Sequence, residues 1–270
     1  MREDSSPWHG RRVLVTGCTG FLGSAVTREL LARGADVVGL VRDRGRAEAF
    51  KREETEGRFH IVYGRAEDVF RLHSAMAVYE VSAVFHLAAT KPHAIRQAAK
   101  LYSAPLPVVT AQPLQQLAIV KTEEEHEGVL SVARVGEVFG PGDRSRRVVP
   151  ATALSLLTGE TLISTERPAR DFVFVQDAAR ACVRVAEDFT ENGPGEFAFR
   201  SGWLLTESQI SSAMRDVFAG QVVQLPEVAP LANPLDWEPQ QPFADAVNAT
   251  LEWMRDSLRS SSTSAIRKAA

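Results

Sequence analysis

The feature that most constrains the fold is a glycine turn between two β-branched runs near the start of the chain. Residues 11–16 form the first run, and the turn at residues 17–23 follows it directly. Apolar residues then recur at helical spacing as far as Gly34, and glycine is typical of a helix end. A second β-branched run occupies residues 35–41. This order predicts a βαβ unit, in which a helix joins two parallel strands.

The glycines of this turn match the mechanical needs of a dinucleotide site. Gly17 makes the tight turn, Gly20 lets the backbone approach a pyrophosphate, and Gly23 lets the helix pack closely on the strand. The helix N-terminus supplies N–H groups and a partial positive charge for the phosphates. The predicted cofactor contacts in the turn are Gly17, Thr19, Gly20, Phe21, Leu22 and Gly23.

The end of the second strand bears on which dinucleotide binds. Its last residues run into Arg42, Asp43 and Arg44. An acidic residue at this point can accept a hydrogen bond from the ribose 2′-hydroxyl, whereas an arginine can bind a 2′-phosphate. Both kinds of side chain are present, so the pattern leaves NAD and NADP open.

Strands and helices continue to alternate through the first half of the chain. Further strands are predicted at residues 59–64, 81–89, 106–111 and 129–134. This alternation predicts an α/β fold of Rossmann type with a doubly wound parallel sheet. A small C-terminal substrate-binding region is expected from the family resemblance given below. The predicted parts are an N-terminal extension (1–10), a nucleotide-binding domain (11–147), a substrate region (148–256, with 173–188 returning to the first domain) and a flexible tail (257–270).

Composition narrows the class of partner. A net charge of −3 in 270 residues gives no reason to expect nucleic acid or a charged membrane surface as a partner. No apolar run is long enough to span a bilayer. The two cysteines, Cys18 and Cys182, cannot form a disulfide framework, so we expect a reduced, cytoplasmic setting.

Four ordered motifs carry a family resemblance. Residues 16–23 (TGCTGFLG) and 84–89 (VFHLAA) resemble the extended short-chain dehydrogenase/reductase family, and more closely its NAD-dependent epimerase/dehydratase branch, which acts on nucleotide sugars. Residues 134–143 and 170–179 (RDFVFVQDAA) resemble later segments of the same family. The resemblance implies a bound NAD or NADP, a nucleotide-sugar substrate and a homodimer. It also implies a cofactor contact from Lys121. Further predicted contacts lie at the carboxyl ends of the second and fourth strands, where ligands of such sheets bind, namely Arg42, Leu87, Ala88 and Ala89.

The chain departs from this family at its catalytic motif. Active members use a Ser or Thr together with Tyr-x-x-x-Lys, in which the Tyr transfers a proton and the Lys lowers the Tyr pKa. Here Thr110 can stand in for the Ser and Lys121 is present, but Leu117 occupies the tyrosine position. None of the three tyrosines of the chain has a lysine four residues later. A shift of register therefore does not restore the motif.

A second departure lies after the third strand, where the family's acidic residue near adenine falls at Arg65. Three functions remain open. The chain is an epimerase- or dehydratase-like enzyme that keeps NAD(P) and uses another acid–base group, such as Thr110 or His86. Alternatively, it is a non-redox nucleotide-sugar isomerase or mutase, in which a divalent metal on the diphosphate is plausible although no metal ligands are predicted. In the third hypothesis it is a catalytically silent binding protein or partner subunit.

Overall fold

The computed structural model describes residues 6–53, 57–102, 106–114, 130–160, 167–226 and 232–269. The strands are β1 Arg12–Thr16, β2 Asp36–Val41, β3 Phe59–Tyr63, β4 Ala83–His86, β5 Val108–Pro113, β6 Leu130–Val135, β7 Glu137–Phe139, β8 Arg170–Phe174, β9 Glu196–Phe199 and β10 Leu204–Leu205. The helices are α1 Phe21–Ala32, α2 Arg44–Glu53, α3 Val69–Val78, α4 His93–Leu101, α5 Val148–Thr158, α6 Val175–Asn192, α7 Glu207–Phe218 and α8 Phe243–Ala269.

The chain forms two compact units. The first unit comprises residues 1–135, 178–199 and 233–237, and the second comprises residues 136–177, 200–232 and 238–270. Each unit is therefore built from three separate stretches of the chain. No described helix is both long enough and apolar enough to cross a membrane.

The first unit is built on a parallel sheet of seven strands. Its strand order is β3-β2-β1-β4-β5-β6-β9, and all of its pairs are parallel. The order reverses direction between β1 and β4, which is the switch point of a doubly wound sheet. This arrangement confirms the predicted Rossmann-type α/β fold.

The register of the sheet brings the ends of its central strands level. Thr16 on β1 is the partner of His86 on β4, and His86 is the partner of Thr110 on β5. Laterally paired residues of a parallel sheet point to the same face. Three polar side chains therefore lie in one row near the carboxyl ends of the strands, where ligands of such sheets bind.

The first unit also takes in the residues that precede β1. Trp8 is 1% exposed, and its ring centroid lies 5.9 Å from that of Phe85 in the middle of the sheet. The indole Nε1 of Trp8 donates a 2.8 Å hydrogen bond to Glu187 on α6, and Arg33 donates to the same carboxylate oxygen at 2.8 Å. The segment predicted to be an extension thus supplies a core residue.

The second unit has its own small sheet and helical layer. Its strands are in the order β10-β8-β7, and α5, α7 and α8 pack on one another. An aromatic cluster of Phe139, Phe174, Trp203 and Phe243 joins them, with neighbouring centroids 5.2 to 6.2 Å apart. Such tilted aromatic pairs add to the stabilisation from burial.

Local sequence patterns account for several helix ends. The Thr206 side chain accepts a hydrogen bond from the Gln209 N–H, and the Gln209 side chain accepts one from the Thr206 N–H. Both hydrogen bonds of the expected capping box of α7 are therefore present. Gly34 follows α1 with a φ of +88°, as expected for glycine at a helix end. Helix α8 continues through Ala269 and so covers most of the segment expected to form a flexible tail.

Replacing Trp8 tests whether the N-terminal segment belongs to the cooperative core. We expect Trp8→Ala to lower the free energy of unfolding by about 3–5 kcal/mol, because a large buried ring and its hydrogen bond are lost. Urea denaturation measures this change. Phe70 is 83% exposed, so Phe70→Ala is the matched control and should stay within about 0.5 kcal/mol of the wild type. An unchanged unfolding midpoint for Trp8→Ala would show that the segment folds apart from the core.

Candidate functional site

The turn after β1 is shaped by close backbone contacts. The N–H of Gly20 donates to the Gly17 carbonyl at 2.8 Å, and Gly17 has a φ of +74°. A Cβ atom on Gly23 would lie 2.0 Å from the Gly17 carbonyl oxygen. Only glycine fits at residue 23 without displacing the turn, so the first turn of α1 packs directly against the end of β1.

The loop after β4 closes on the same turn. The N–H of Leu87 donates to the Thr16 carbonyl at 3.0 Å. A Cβ atom on Gly17 would lie 2.7 Å from backbone atoms of Leu87 and Ala88. The structure therefore brings together two of the predicted cofactor-binding segments, residues 17–23 and residues 87–89. It leaves Leu87 and Ala88 half-buried and Ala89 exposed.

The N-terminus of α1 has the features of an anion site. Gly20 is the N-cap, and neither a capping side chain nor an acidic residue of the first turn competes for the helix end. Within 4 Å a Cβ atom on Gly20 would meet only the Gly17 oxygen, at 3.0 Å. Gly20 is exposed and Thr19, Phe21 and Leu22 are half-buried. The residues present therefore fit the pyrophosphate of a dinucleotide, because backbone N–H groups are accessible and side-chain bulk is absent.

Cys18 serves the packing of this turn. Its sulfur fills the space in which a Cβ atom of Gly39 on β2 would stand, at 2.7 Å. Burial raises the pKa of the Cys18 thiol to about 12, so the group is not a thiolate at neutral pH. Cys18 thus packs the turn against the sheet.

His86 is held by both of its ring nitrogens. Its Nε2 lies 3.2 Å from the Thr90 carbonyl oxygen, which can only accept, and its Nδ1 lies 2.9 Å from the Thr16 hydroxyl. The carbonyl contact fits a proton on Nε2 with Nδ1 accepting from Thr16, and the Thr90 hydroxyl also lies 3.3 Å from Nε2. Burial lowers the pKa of His86, although the Thr90 carbonyl and Glu67 oppose the shift. A neutral imidazole ties β1, β4 and the following loop together.

Among Thr16, His86 and Thr110, the three polar residues paired across the sheet, Thr110 has a hydroxyl that is available to bind a ligand. It is 7% exposed, and within the described ranges its hydroxyl has no hydrogen-bond partner. Leu117 and Lys121 lie outside the described residues, as does most of the predicted catalytic helix. The structure therefore places Thr110 beside His86 but does not describe the two positions on which the catalytic motif depends.

The charged residues after β2 have different surroundings. Asp43 caps α2, because its Oδ1 accepts from the Arg46 N–H at 3.2 Å. The Arg44 guanidinium lies 4.9 Å from the centroid of the Tyr63 ring. Arg42 is exposed. Capping by Asp43 was missed at the sequence level, although an aspartate immediately before a helix is a recognised capping pattern.

The end of β3 has an arginine where the resembling family has an acid. Arg65 is exposed and its Nε lies 3.6 Å from a carboxylate oxygen of Glu67. Asp68 is the N-cap of α3 and accepts from the Arg71 N–H at 3.0 Å. Both acidic residues that could replace the missing one are therefore occupied by other contacts.

The second unit contains a buried charged cluster around Arg170. This arginine pairs with Glu137 and, at 2.6 Å, with Glu207. The neighbouring Asp171 accepts from the N–H groups of Ser201 and Gly202 at 2.9 and 3.1 Å. Burial raises the pKa of Asp171, while these donors and Arg200 lower it. These contacts connect β8 to β7, to the start of α7 and to the loop before β10, all within the second unit.

A metal centre is not formed by the part of the chain that the structure describes. No group of three His, Cys, Asp or Glu side chains there could hold an ion. The described residues therefore give no support to a divalent metal on a diphosphate.

Curated relatives match short stretches of the chain. The dTDP-4-dehydro-6-deoxy-D-allose reductase of Streptomyces bikiniensis is 60% identical over 35 residues, which are 13% of this chain and 11% of that protein. The UDP-glucose 4-epimerase of Mycolicibacterium smegmatis is 40% identical over 79 residues, 29% of this chain and 25% of that protein. The chain thus matches about a quarter or less of the length of these relatives.

Solved structures match nearly the whole chain. The Bordetella bronchiseptica enzyme WbmH in complex with NAD+ has a TM-score of 0.70 at 23% identity, covering 92% of this chain and 99% of that one. The UDP-glucose-4-epimerase of Stenotrophomonas maltophila, with bound NAD and formylated UDP-arabinopyranose, has a TM-score of 0.74 at 18% identity. It covers 93% of this chain and 99% of its own. At these identities the matches establish the fold.

The family is established by a sequence model that covers most of the chain. The model described as "NAD dependent epimerase/dehydratase family" matches residues 13–104 and 115–199. The matched residues include the phosphate turn, the strand and loop at His86, and the segment that opens α6. The chain therefore belongs to the NAD dependent epimerase/dehydratase family.

Proposed function

We propose that this protein is a nucleotide-sugar-modifying enzyme that binds a nicotinamide dinucleotide and uses atypical acid–base chemistry. The observation that carries the proposal is the turn at residues 17–23. There is space beside the backbone at Gly20, whereas Gly17 and Gly23 are in close contact with neighbouring backbone atoms. The N-terminus of α1 has no capping side chain, which leaves backbone N–H groups to bind a diphosphate.

The substrate part of the proposal rests on the family. The relatives named above include a UDP-glucose 4-epimerase and a reductase of a dTDP-linked sugar. A nucleoside diphosphate sugar is therefore the first substrate class to test. A homodimer is the assembly that we propose for the active protein.

The proton-transfer step must differ from that of an ordinary family member. When bound, the nicotinamide supplies hydride transfer, and the chain must move a proton at a sugar hydroxyl. Leu117 cannot do this, and both nitrogens of His86 are engaged. The Thr110 hydroxyl is the described group that can hold a substrate hydroxyl or a water. One general acid–base group typically raises the reaction rate by about 10²–10⁴-fold. Because the tyrosine is missing, we expect this chain to turn over more slowly than family members that have it.

A non-redox isomerase or mutase is the second candidate. Two residues favour it, namely Leu117 in place of the proton-transferring tyrosine and Arg65 in place of the acid near adenine. In this alternative the turn at residues 17–23 holds the diphosphate of the sugar nucleotide. The two candidates differ in which nucleotide binds, and this difference can be measured.

Ligand binding separates these candidates. We expect dinucleotide to be released when the purified protein is denatured, and expect NAD(H) or NADP(H) to raise the melting temperature. A ligand at 100 times its Kd stabilises the fold by about 2.7 kcal/mol. Gly20→Ala should fold but lose most of this effect, because its Cβ atom would occupy the phosphate side of the turn. Stabilisation by a sugar nucleotide alone would favour the non-redox candidate, and binding of neither would favour a silent scaffold.

Restoring the tyrosine tests the redox proposal directly. We expect Leu117→Tyr to raise epimerase or dehydratase turnover by about 10²-fold or more, because it returns the proton-transfer group of Tyr-x-x-x-Lys. Leu117→Phe is the matched control, since it adds the ring without the hydroxyl. Product formation from UDP- and dTDP-glucose gives the readout. No gain from Tyr, with native turnover retained, would support different chemistry.

The neutral state of His86 makes stability depend on pH. Burial lowers the pKa of His86 below its ordinary value of 6.5, so the unfolded chain binds this proton more tightly. The stabilisation is fully present above pH 6.5 and is lost as pH falls through the folded value. We expect His86→Gln to remove a slope of up to about 1.4 kcal/mol per pH unit in urea unfolding below pH 6.5.

The control for this measurement is His60→Gln, which changes an exposed histidine of the same unit. It should leave the slope as it is in the wild type. An equal slope in the wild type and in His86→Gln would mean that folding does not shift the pKa of His86.

A further inference from the structure

We propose that Thr90 is the proton-transfer residue of this protein, and that it passes its proton to the buried imidazole of His86. This inference rests on the proposed function, because it requires a nicotinamide dinucleotide and a sugar hydroxyl at the carboxyl edge of the sheet. It goes further by assigning the group that does the work of the tyrosine replaced by Leu117. His86 acts through Thr90 and does not contact the substrate.

Thr90 lies in the loop that borders the turn at residues 17–23. This loop joins β4 to α4, and the backbone of its residues Leu87 and Ala88 lies against Gly17. The N–H of Thr90 donates to the Ala88 carbonyl at 2.7 Å, which holds Thr90 directly after that contact. Ligands of parallel sheets bind at this edge. Thr90 is therefore positioned at the end of the sheet where the substrate is proposed to react.

The Thr90 hydroxyl connects a buried base with the surface. It lies 3.3 Å from Nε2 of His86. His86 is 1% exposed, whereas Thr90 is half-buried. A substrate hydroxyl therefore cannot reach the imidazole itself, but it can reach the side chain of Thr90.

Thr16 supplies the third contact that such a pair requires. A hydroxyl is activated when a base lies within hydrogen-bond reach and another group holds the base in place. The Thr16 hydroxyl lies 2.9 Å from Nδ1 of His86 and fixes the ring from the opposite side. The 3.3 Å distance at Nε2 is slightly long, and contacts of this kind often tighten only when the substrate is bound. Thr90, His86 and Thr16 thus have the order of hydroxyl, base and orienting group.

Both neutral tautomers of His86 fit these partners. With the proton on Nε2, the imidazole donates to the Thr90 carbonyl at 3.2 Å. With the proton on Nδ1, it donates to the Thr16 hydroxyl, and Nε2 accepts from the Thr90 hydroxyl. The second tautomer is the one that takes a proton from Thr90. The ring does not have to move between the two, because the same residues provide the partners.

The proposed step conserves protons and electrons. As the sugar is oxidised, its O–H bond breaks and the proton passes to Oγ1 of Thr90, while the Thr90 proton passes to Nε2 of His86. The C–H hydride passes with its electron pair to the oxidised nicotinamide, and a C=O double bond forms. Reduction of the carbonyl returns the hydride and both protons by the reverse path.

The imidazolium formed in this step has acceptors for both of its protons. Nε2 donates to the Thr90 carbonyl, and Nδ1 donates to the Thr16 hydroxyl. Burial lowers the pKa of His86 and disfavours the charged form, whereas the Thr90 carbonyl and Glu67 raise that pKa and stabilise it. His86 is therefore neutral before the step, and its charged form is partly compensated after it.

Thr110 is less suited to the same role. Its hydroxyl has no hydrogen-bond partner within the described ranges, so no base described there takes its proton. A hydroxyl without a base can hold a substrate hydroxyl or a water, but it is a weak proton-transfer group. Thr110 thus fits a binding role, and the pair of Thr90 and His86 fits the proton transfer.

Steady-state kinetics with UDP- and dTDP-glucose test the assignment. We expect Thr90→Val to lower kcat by about 10²-fold or more and to change KM by no more than about threefold, because the acid–base group is lost while its shape is kept. Thr90→Ser keeps the hydroxyl and should retain most of the wild-type kcat. Ser82→Ala is the matched control, since Ser82 precedes β4 at its amino end and donates to the Arg12 carbonyl. It should leave both constants unchanged.

The Leu117→Tyr background separates a catalytic role of Thr90 from a structural one. There we expect Thr90→Val to lower kcat by no more than about threefold, because the tyrosine supplies the proton-transfer group. An equal loss in both backgrounds would show a structural role and overturn the assignment. Wild-type kcat in Thr90→Val would also overturn it and leave the proposed function intact. A wild type that binds dinucleotide but turns over neither sugar would overturn the proposed redox function and this inference together.

Discussion

The close approach of three backbone segments at Gly17 is the constraint on which the first unit depends. The turn after β1, the first turn of α1 and the loop after β4 meet with no room for a Cβ atom at residues 17 or 23. This contact sets the angle at which α1 leaves the sheet, and it brings residues 87 and 88 beside the helix end. Binding geometry and fold are thus specified by the same atoms, and a change that loosens one also loosens the other.

The proposed nucleotide site and the position of the family's proton-transfer tyrosine lie in separate parts of the sequence. The turn at residues 17–23 lies at the switch point of the sheet, whereas the altered position Leu117 belongs to a different segment of the chain. A chain can therefore keep the glycine turn in its sequence although the family's proton-transfer tyrosine is replaced by leucine.

Local patterns in the sequence were sufficient to predict the fold. Contacts between residues that are distant in the sequence could not be predicted from it. The glycine turn, the β-branched runs and the Thr206 capping box are encoded within a few residues, and each is found where it was expected. The bond between Thr16 and His86 joins residues 70 positions apart and has no local pattern. The role of Asp43 was open because capping and ribose binding require the same residue type at the same place. Leu117 and Lys121 stay predictions, since they lie outside the described residues.

The hydrogen bond between Trp8 and Glu187 has a consequence for how the protein is made. These residues are 179 positions apart, and the second unit's stretch of residues 136–177 lies between them. Domains usually fold in order as they leave the ribosome. Here the indole of Trp8 has no acceptor, and β6 has no neighbour on its outer edge, until residues 187–199 have been synthesised. During synthesis the outer edge of β6 therefore stays unpaired while residues 136–177 emerge, and an unpaired strand edge of this kind is prone to aggregation.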